Sequence, residues 1–368
     1  MAQKVTKVGI IGVGNISPIY LSNMTKVFKN VEVKSVADKI HERAINRSNE
    51  FGPAAVSVAD LLADPEIEIV VNLTNPDQHY IVNKQIVTAK KHAHSEKPYN
   101  GQLSEAQEIM ELARKNGVRS GSAPDTFMGA GIQTCIKLIN DGFIGNPIAA
   151  TAFMTGRGHE SWHPDPEFYY KPAAGPMFDM GPYYITALVA MLGQVERVCG
   201  SATKKFATRK ITSEPKFGSI IDVEVPTHTT GAIDFSNGCT ATIIMSFDMY
   251  SSGRLPCIEV YGTEGTIIVP DPNGFGGPVM MKRHNTDFKE VPVTHCYSDN
   301  SRGLGVCDLA SAIQTGRKHR CCDELTYHAL EVMHAFDISS QENKHYFMKS
   351  KCEKPAPMPM VLEKGEID

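Results

Sequence analysis

Long apolar runs are missing from this sequence. No stretch approaches the ~18 consecutive apolar residues that a membrane-spanning helix needs, and Met1–Lys7 is too polar to open a secretory signal, so the expected compartment is the cytoplasm. An excess of charge is missing as well. Lysine and arginine total 37 against 41 acids, a formal net charge of -4, which argues against a dedicated nucleic-acid surface or a polybasic membrane anchor. A small neutral or weakly charged ligand fits this balance better. The nine cysteines are scattered, odd in number and without a Cys-x-x-Cys pair, so they read as reduced, mostly buried thiols rather than a disulfide framework. The only local cluster of metal-ligand types is Cys321-Cys322 with His319 and Asp323. Adjacent cysteines fit poorly into structural zinc spacing, and no metal is expected. There is one tryptophan, Trp162, and no internal repeat or low-complexity tract.

What is present is enough apolar sequence, 42% over 368 residues, to bury a full core in two domains. From Lys4 to Gly121 an apolar run, glycine or proline punctuation and an amphipathic segment recur in turn. Strands are expected at Lys7–Gly12, Val31–Asp38, Glu68–Leu73, His92–Glu96 and Val118–Ser122. Helices are expected at Pro18–Lys29, His41–Phe51, Asp77–Lys91 and Ser104–Asn116, the last opened by Ser104 as cap. Alternation of this kind implies a parallel sheet.

After Ala123 the texture changes. A helix near Gly131–Asp141 precedes alternating runs at Thr227–Phe235, Cys239–Phe247 and Cys257–Tyr261, which suggest antiparallel strands. Ser236-Asn237-Gly238 and Thr263-Glu264-Gly265 sit where hairpins should turn, with a further strand at Thr266–Val269. Helices return at Leu304–Thr315 and Asp323–Ser340, before a Pro- and Met-rich tail over Lys354–Met360.

The strongest local signal is Gly12-Val13-Gly14-Asn15-Ile16-Ser17. In a dinucleotide-binding turn the first glycine makes the tight bend, the second lets backbone approach a pyrophosphate, and the third lets helix pack on strand. Gly12 and Gly14 are present, and Ser17 stands in the third place. Ser17-Pro18 is a good helix start, with serine expected to cap free amides and proline tolerated in the first turn. The amide-rich helix end would then face phosphate. Asp38 lies 24 residues after Gly14, where such folds place an acid on the ribose hydroxyls. That carboxylate would repel a 2'-phosphate, favouring NAD over NADP, with Lys39 beside it leaving some tolerance.

Glu96-Lys97-Pro98 follows the short strand at the carboxyl edge of the expected sheet, where open α/β folds bind ligands. An isolated Glu-Lys pair is commonly a surface ion pair, so its context has to decide. Four segments supply that context: Val8–Ser17, Asn72-Leu73-Thr74-Asn75-Pro76 with His79, Glu96-Lys97-Pro98, and Gly175-Pro176-Met177-Phe178-Asp179-Met180-Gly181. In order and spacing the chain resembles the Gfo/Idh/MocA family of oxidoreductases over nearly its whole length, the family of myo-inositol dehydrogenase and glucose-fructose oxidoreductase.

The resemblance implies an α/β protein, with an N-terminal Rossmann domain and parallel sheet over 1–123. Over 124–368 it implies a second α/β domain for substrate binding and oligomerisation, with a large, mostly antiparallel sheet. It places Gly12, Gly14, Asn15, Ile16, Asp38, Thr74, Asn75, Pro76, His79, Glu96 and Lys97 around the cofactor. Lys97 would also touch substrate, and Asp179 would complete the site. The family's proton-accepting histidine, four residues after that aspartate, is replaced here by Tyr183.

Alcohol oxidation needs a base to take the hydroxyl proton while hydride leaves for the nicotinamide. Tyr183 is one candidate, since a neighbouring Lys97 ammonium favours phenolate, and Asp179 and Tyr183 would share one face if Gly181–Leu192 is helical. Tyr184 is a rival for the role. His159 and His163, in Gly158-His159-Glu160-Ser161-Trp162-His163-Pro164, are others, and Trp162 is placed to stack on a sugar face. Asp125 and Phe127 border the substrate cleft by resemblance, unless Asp125 merely caps a helix. His328, among apolar neighbours, reads as a packed histidine.

The expected activity is NAD-dependent oxidation of a secondary hydroxyl on a sugar, glycoside or cyclitol, carbon 3 of a glycoside among the candidates, in a homodimer or homotetramer. The rival readings are an enzyme that keeps NAD bound and shuttles hydride between sugars, and a cofactor-binding sensor that has lost catalysis.

Overall fold

The structure, a computed structural model, describes residues 4–250, 253 and 255–368; the start of the Met1–Lys7 stretch lies outside them. The first half is built on six parallel strands, β1 (Thr6–Ile11), β2 (Val31–Ala37), β3 (Ala54–Ala55), β4 (Ile69–Asn72), β5 (His92–Ser95) and β6 (Ser120–Ser122), in the order β3-β2-β1-β4-β5-β6. That is the doubly wound Rossmann order. It follows from the sequence pattern: β1 and β4 are near-continuous apolar runs, as parallel strands covered on both faces must be, and Val8, Ile10, Ile69, Val70 and Val71 are fully buried. Each such side chain contributes about 1.5–3 kcal/mol to folding. The crossovers are α1 (Ser17–Lys26), α2 (His41–Phe51), α3 (Val58–Ala63), α4 (His79–Thr88) and α5 (Leu103–Asn116).

Two local expectations are corrected here. α5 is capped by Gln102, whose backbone N–H donates to the Glu105 carboxylate at 3.2 Å, and Ser104 sits inside the first turn. Ser17 is likewise the first residue of α1 rather than its cap, and its hydroxyl donates back to the Gly14 carbonyl at 2.8 Å. In both cases the chain turns helical one or two residues before the serine, which leaves its oxygen no free amide to accept from.

The second half begins with α6 (Ala130–Asn140), β7 (Pro147–Thr155), α7 (Gly175–Asp179) and α8 (Gly181–Leu192). Then come β8 (Val195–Thr203), β9 (Thr208–Lys210), β10 (Ile220–Asp222), β11 (His228–Phe235), β12 (Thr240–Ser246), β13 (Ile258–Gly262), β14 (Gly265–Val269), β15 (Val279–Arg283) and β16 (Lys289–Val291). α9 (Leu304–Thr315), α10 (Asp323–Glu342) and β17 (Tyr346–Phe347) close the chain. Nine strands form one sheet, β16-β15-β14-β13-β7-β12-β11-β8-β17, in which only the β7–β12 pair is parallel; β9 and β10 pair apart. Both expected hairpin turns are present, between β11 and β12 and between β13 and β14. The last helices turn back to the first sheet: Asn30 donates to the Cys307 carbonyl at 2.9 Å and Cys322 bridges Gly121. One apolar core therefore runs through both halves, with the cleft at the carboxyl ends of β1, β4 and β5.

Candidate active site

At one end of the cleft the chain leaves β1 through Gly12. Its φ is +88°, and a Cβ there would lie 2.7 Å from the Thr74 amide nitrogen and 2.8 Å from the Leu73 carbonyl carbon. Only glycine lets β1 end this close to β4. Gly14 is the opposite case, for a Cβ there would meet nothing within 4 Å. The space in front of the turn and of the α1 amides is open, as a pyrophosphate would require. At the end of β2 the Asp38 carboxylate accepts from the backbone N–H of Val13 and of Ile40, each at 2.9 Å, which fixes a negative charge beside the turn. These features fit a dinucleotide whose ribose hydroxyls, rather than a phosphate, meet Asp38.

The Thr74–His79 segment is held from behind. Thr74 N–H and hydroxyl both donate to Asn72 Oδ1, at 3.1 and 2.6 Å. His79 is fully buried and bridges the Thr74 carbonyl at 3.0 Å and the Pro98 carbonyl at 2.7 Å. It pins two cleft loops together rather than facing into the cleft. Asn75 is exposed and Pro76 opens a short 3-10 turn. Glu96 anchors the next loop, accepting from the Tyr20 hydroxyl at 2.7 Å and the Lys97 amide at 3.0 Å.

Lys97 is the centre of the other end. Its Nζ donates to the Asp179 carbonyl and to Asp179 Oδ1, both at 2.8 Å, and lies 5.3 Å from the centroid of the Tyr183 ring. Burial alone would lower its pKa, but Asp179, Tyr183 and Glu96 outweigh burial and hold it above the usual lysine range. Lys97 is a fixed ammonium with three N–H groups, two of them on Asp179. Burial would raise the Asp179 carboxyl, yet Lys97 and His159 hold it well below the ordinary carboxylate range.

His159 Nε2 lies 3.4 Å from Asp179 Oδ2. Its ring stacks on Tyr169 at 3.8 Å between centroids and meets the edge of Phe247 at 4.7 Å. The loop carrying it is clamped by Arg209, almost wholly buried, whose guanidinium donates to Glu160 at 2.6 Å, to Asp248 at 2.8 Å and to the Phe247 carbonyl at 2.8 Å, and also to the Arg157 carbonyl. Tyr170 adds a hydroxyl bond to Glu160. An imidazole therefore reaches Asp179 from 20 residues upstream, although position 183 has none.

Tyr183 also touches Lys97, from α8, because the chain breaks between α7 and α8 at Met180. It is the ring face that meets the ammonium, while the hydroxyl lies with Arg302. Burial raises the phenol pKa, and Lys97 and Arg302 do not fully offset it. The net direction is opposite to the expectation from charge alone. The phenol therefore keeps its proton at neutral pH.

Other expected site residues are placed elsewhere. Tyr184 is buried against Cys257, and Phe127 is a core side chain. The Asp125 carboxylate accepts from the Gly303 and Gly305 amides at 2.9 and 3.0 Å, capping the start of α9. His163 accepts from the Asp165 amide at 3.0 Å and packs edge-on against Phe168 and Tyr169 without reaching Asp179. Trp162 is 62% exposed and 5.3 Å from the His159 ring, free to cover a ligand face. His328 is fully buried, accepting from the Val195 amide at 3.0 Å. Arg302, Arg209 and Tyr169 carried no local signal, since each joins the site from a segment with no recognisable spacing to Lys97 or Asp179.

A dinucleotide-type turn joined to a buried Lys97–Asp179 pair is the combination expected of the NAD-binding oxidoreductases. Residues 6–123 match the model of the oxidoreductase family with NAD-binding Rossmann fold, and residues 132–268 match the GFO/IDH/MocA C-terminal domain. Together these span well over half of the sequence, and the chain belongs to the Gfo/Idh/MocA oxidoreductase family. It is 32% identical over 150 residues to inositol 2-dehydrogenase/D-chiro-inositol 3-dehydrogenase of Lactiplantibacillus plantarum, a match covering 39% of this chain and 42% of that protein. It is 25% identical over 321 residues to the uncharacterized oxidoreductase YrbE of Bacillus subtilis, covering 85% and 88%. Among solved structures, levoglucosan dehydrogenase in complex with NADH and levoglucosan superposes with a TM-score of 0.80 at 18% identity, over 94% of this chain and all of that one, a likeness of fold.

Proposed function

We propose that the protein oxidises a secondary hydroxyl of a sugar, glycoside or cyclitol, with NAD as hydride acceptor. The observation that carries this reading is the Lys97–Asp179–His159 cluster at the carboxyl edge of the Rossmann sheet. The relatives named for inositol and levoglucosan support the substrate class. Asp38 at the end of β2 supports NAD over NADP.

NAD, held at the Gly12–Ile16 turn and Asp38, supplies the hydride acceptor. The remaining work falls to side chains of this chain. The third N–H of Lys97 is available to a substrate oxygen and stabilises negative charge developing there. The His159 imidazole, beside the ionised Asp179, takes the hydroxyl proton, and the imidazolium so formed pairs with that carboxylate. Tyr183 walls the ammonium and holds its direction, and Trp162 covers the open side of the substrate. The half-exposed face of the large sheet, where Phe153 lies beside Ile244 and Tyr261 follows on the next strand, is where we place the contact of a homodimer or homotetramer.

The test is a panel of polyols, free sugars and glycosides read by reduced-nicotinamide absorbance. Turnover of at least one cyclic polyol or sugar is expected in the wild type. Lys97→Met should lower kcat by about 10³-fold or more while NAD still binds. NAD binding with no turnover on any member of the panel would overturn the reading in favour of a cofactor-binding sensor.

A further inference from the structure

Against α7 lies a cavity of about 250 Å³. It is bounded by the start of α5, by α7, by the entry to β11 and by α10. It shares α7 as a wall with the catalytic site, but none of its lining residues is Lys97, Asp179 or His159.

Asp337, on α10, lines this cavity and is half-buried. Its carboxylate has no hydrogen bond and no ion pair among the described residues, and burial alone pushes its pKa up to about 6. Other carboxylates buried in this protein are satisfied. Asp125 has two backbone amides, Asp248 has Arg209 and Thr227, Asp308 has Arg317 and Arg320, and Glu331 has the Tyr346 hydroxyl and two amides. A carboxylate partly withdrawn from water without a partner is destabilised, and Asp337 stands apart.

A second group points the same way. Thr229 is 1% exposed, lines the same cavity, and its hydroxyl is buried with no partner among the described residues. No lysine or arginine contributes to the lining. His334 bonds the Gly101 carbonyl at 3.2 Å, and burial holds its pKa below the ordinary value, so the imidazole stays neutral. The remaining walls are largely apolar, with Met177, Phe178 and Ile338 among them. A hard metal ion would find one carboxylate and too few oxygens, an anion would be repelled, and a neutral polyol would leave the charge unmatched.

We infer that this cavity is a binding site for a small organic cation, a primary ammonium or guanidinium on a short apolar stem. The cation pairs with Asp337 and donates to the Thr229 hydroxyl, while the stem lies on Met177, Phe178 and Ile338. This site does not depend on the reaction proposed above.

Calorimetric titration of the full chain at pH 8, where Asp337 is ionised, tests it with n-butylammonium and n-butylguanidinium chlorides. Butanol and sodium butyrate at matched ionic strength are the controls. Saturable binding of at least one cation is expected, with at least tenfold weaker binding of both controls. Asp337→Asn should weaken the cation at least tenfold, and the near-isosteric Thr229→Val several-fold. Lys97→Met should leave binding unchanged, which keeps the result separate from the fate of the dehydrogenase reading. Absence of cation binding, butanol binding as well as butylammonium, or a cation affinity lost in Lys97→Met and kept in Asp337→Asn would each overturn the inference.

Discussion

At the Gly12–Ile16 turn the cleft is lined by backbone, and its shape depends on what two glycines lack; at Lys97 it is lined by side chains drawn from three separate segments. The turn is local: residues 12–17 and the strand ends beside them make it, and Asp38 braces it through the Val13 amide. The other end, the proposed catalytic centre, is assembled over long range, with Lys97, His159 and Asp179 brought together from a loop after β5, a loop clamped by Arg209, and the end of α7. Backbone sites tolerate any side chain that does not fill the space, whereas side-chain sites tolerate almost no exchange of chemistry.

The sharpest break of this comparison is at the proton acceptor. If His159 is the base, His159→Ala should lower kcat on the best substrate of the panel by ~10²–10⁴-fold, while Tyr183→Phe costs less than about tenfold. Steady-state rates at neutral pH decide it, and the reverse ranking would return the role to Tyr183 despite the burial that raises its pKa.

At the other end the two glycines should separate. Gly12→Ala forces a side chain into a positive φ and onto the β4 backbone, so a loss of about 2–4 kcal/mol of stability is expected in denaturant unfolding. Gly14→Ala has room and should unfold within about 0.5 kcal/mol of wild type, yet bind NAD roughly tenfold more weakly, because the added methyl occupies the approach to the turn. Equal effects on folding would mean that Gly14 also serves the backbone.

The smallest effect concerns cofactor choice. Asp38→Asn removes the charge and leaves only one of the two oxygens that accept from the Val13 and Ile40 amides, so NAD should bind about tenfold less tightly. The preference over NADP should narrow, since a 2'-phosphate no longer meets a carboxylate. Fluorescence titration with both cofactors reads this directly, and an unchanged preference would remove Asp38 from the discrimination.

Much of this was legible in advance. The parallel sheet follows from apolar runs at β1 and β4 and the valines of β2, spaced by helices, and both hairpin turns follow from their glycines and asparagine. α3 and the short β3 carried too few residues to show a period, and β7, with three alanines and an internal threonine, shows too weak an alternation for periodicity to assign. The cap positions of α1 and α5 were off by one or two residues, because a serine or threonine near a helix start is compatible with several registers. Of the site, Lys97 and Asp179 were legible through their motifs. Which of His159, His163 and Tyr183 comes to lie on Asp179 or on Lys97 was not, because ring contact and burial are set by neighbours distant in sequence.

The sequence by itself determined the dinucleotide turn, the acid at the end of β2, the lysine at the sheet edge and the family, since each is a short pattern whose physics is local. Tertiary structure alone decided that His159 rather than His163 reaches Asp179, that burial outweighs Lys97 at Tyr183, that Asp125 caps α9, and that Asp337 lines a cavity with no partner among the described residues. Those outcomes depend on packing distances and desolvation, which arise only when segments far apart in the chain are brought into contact.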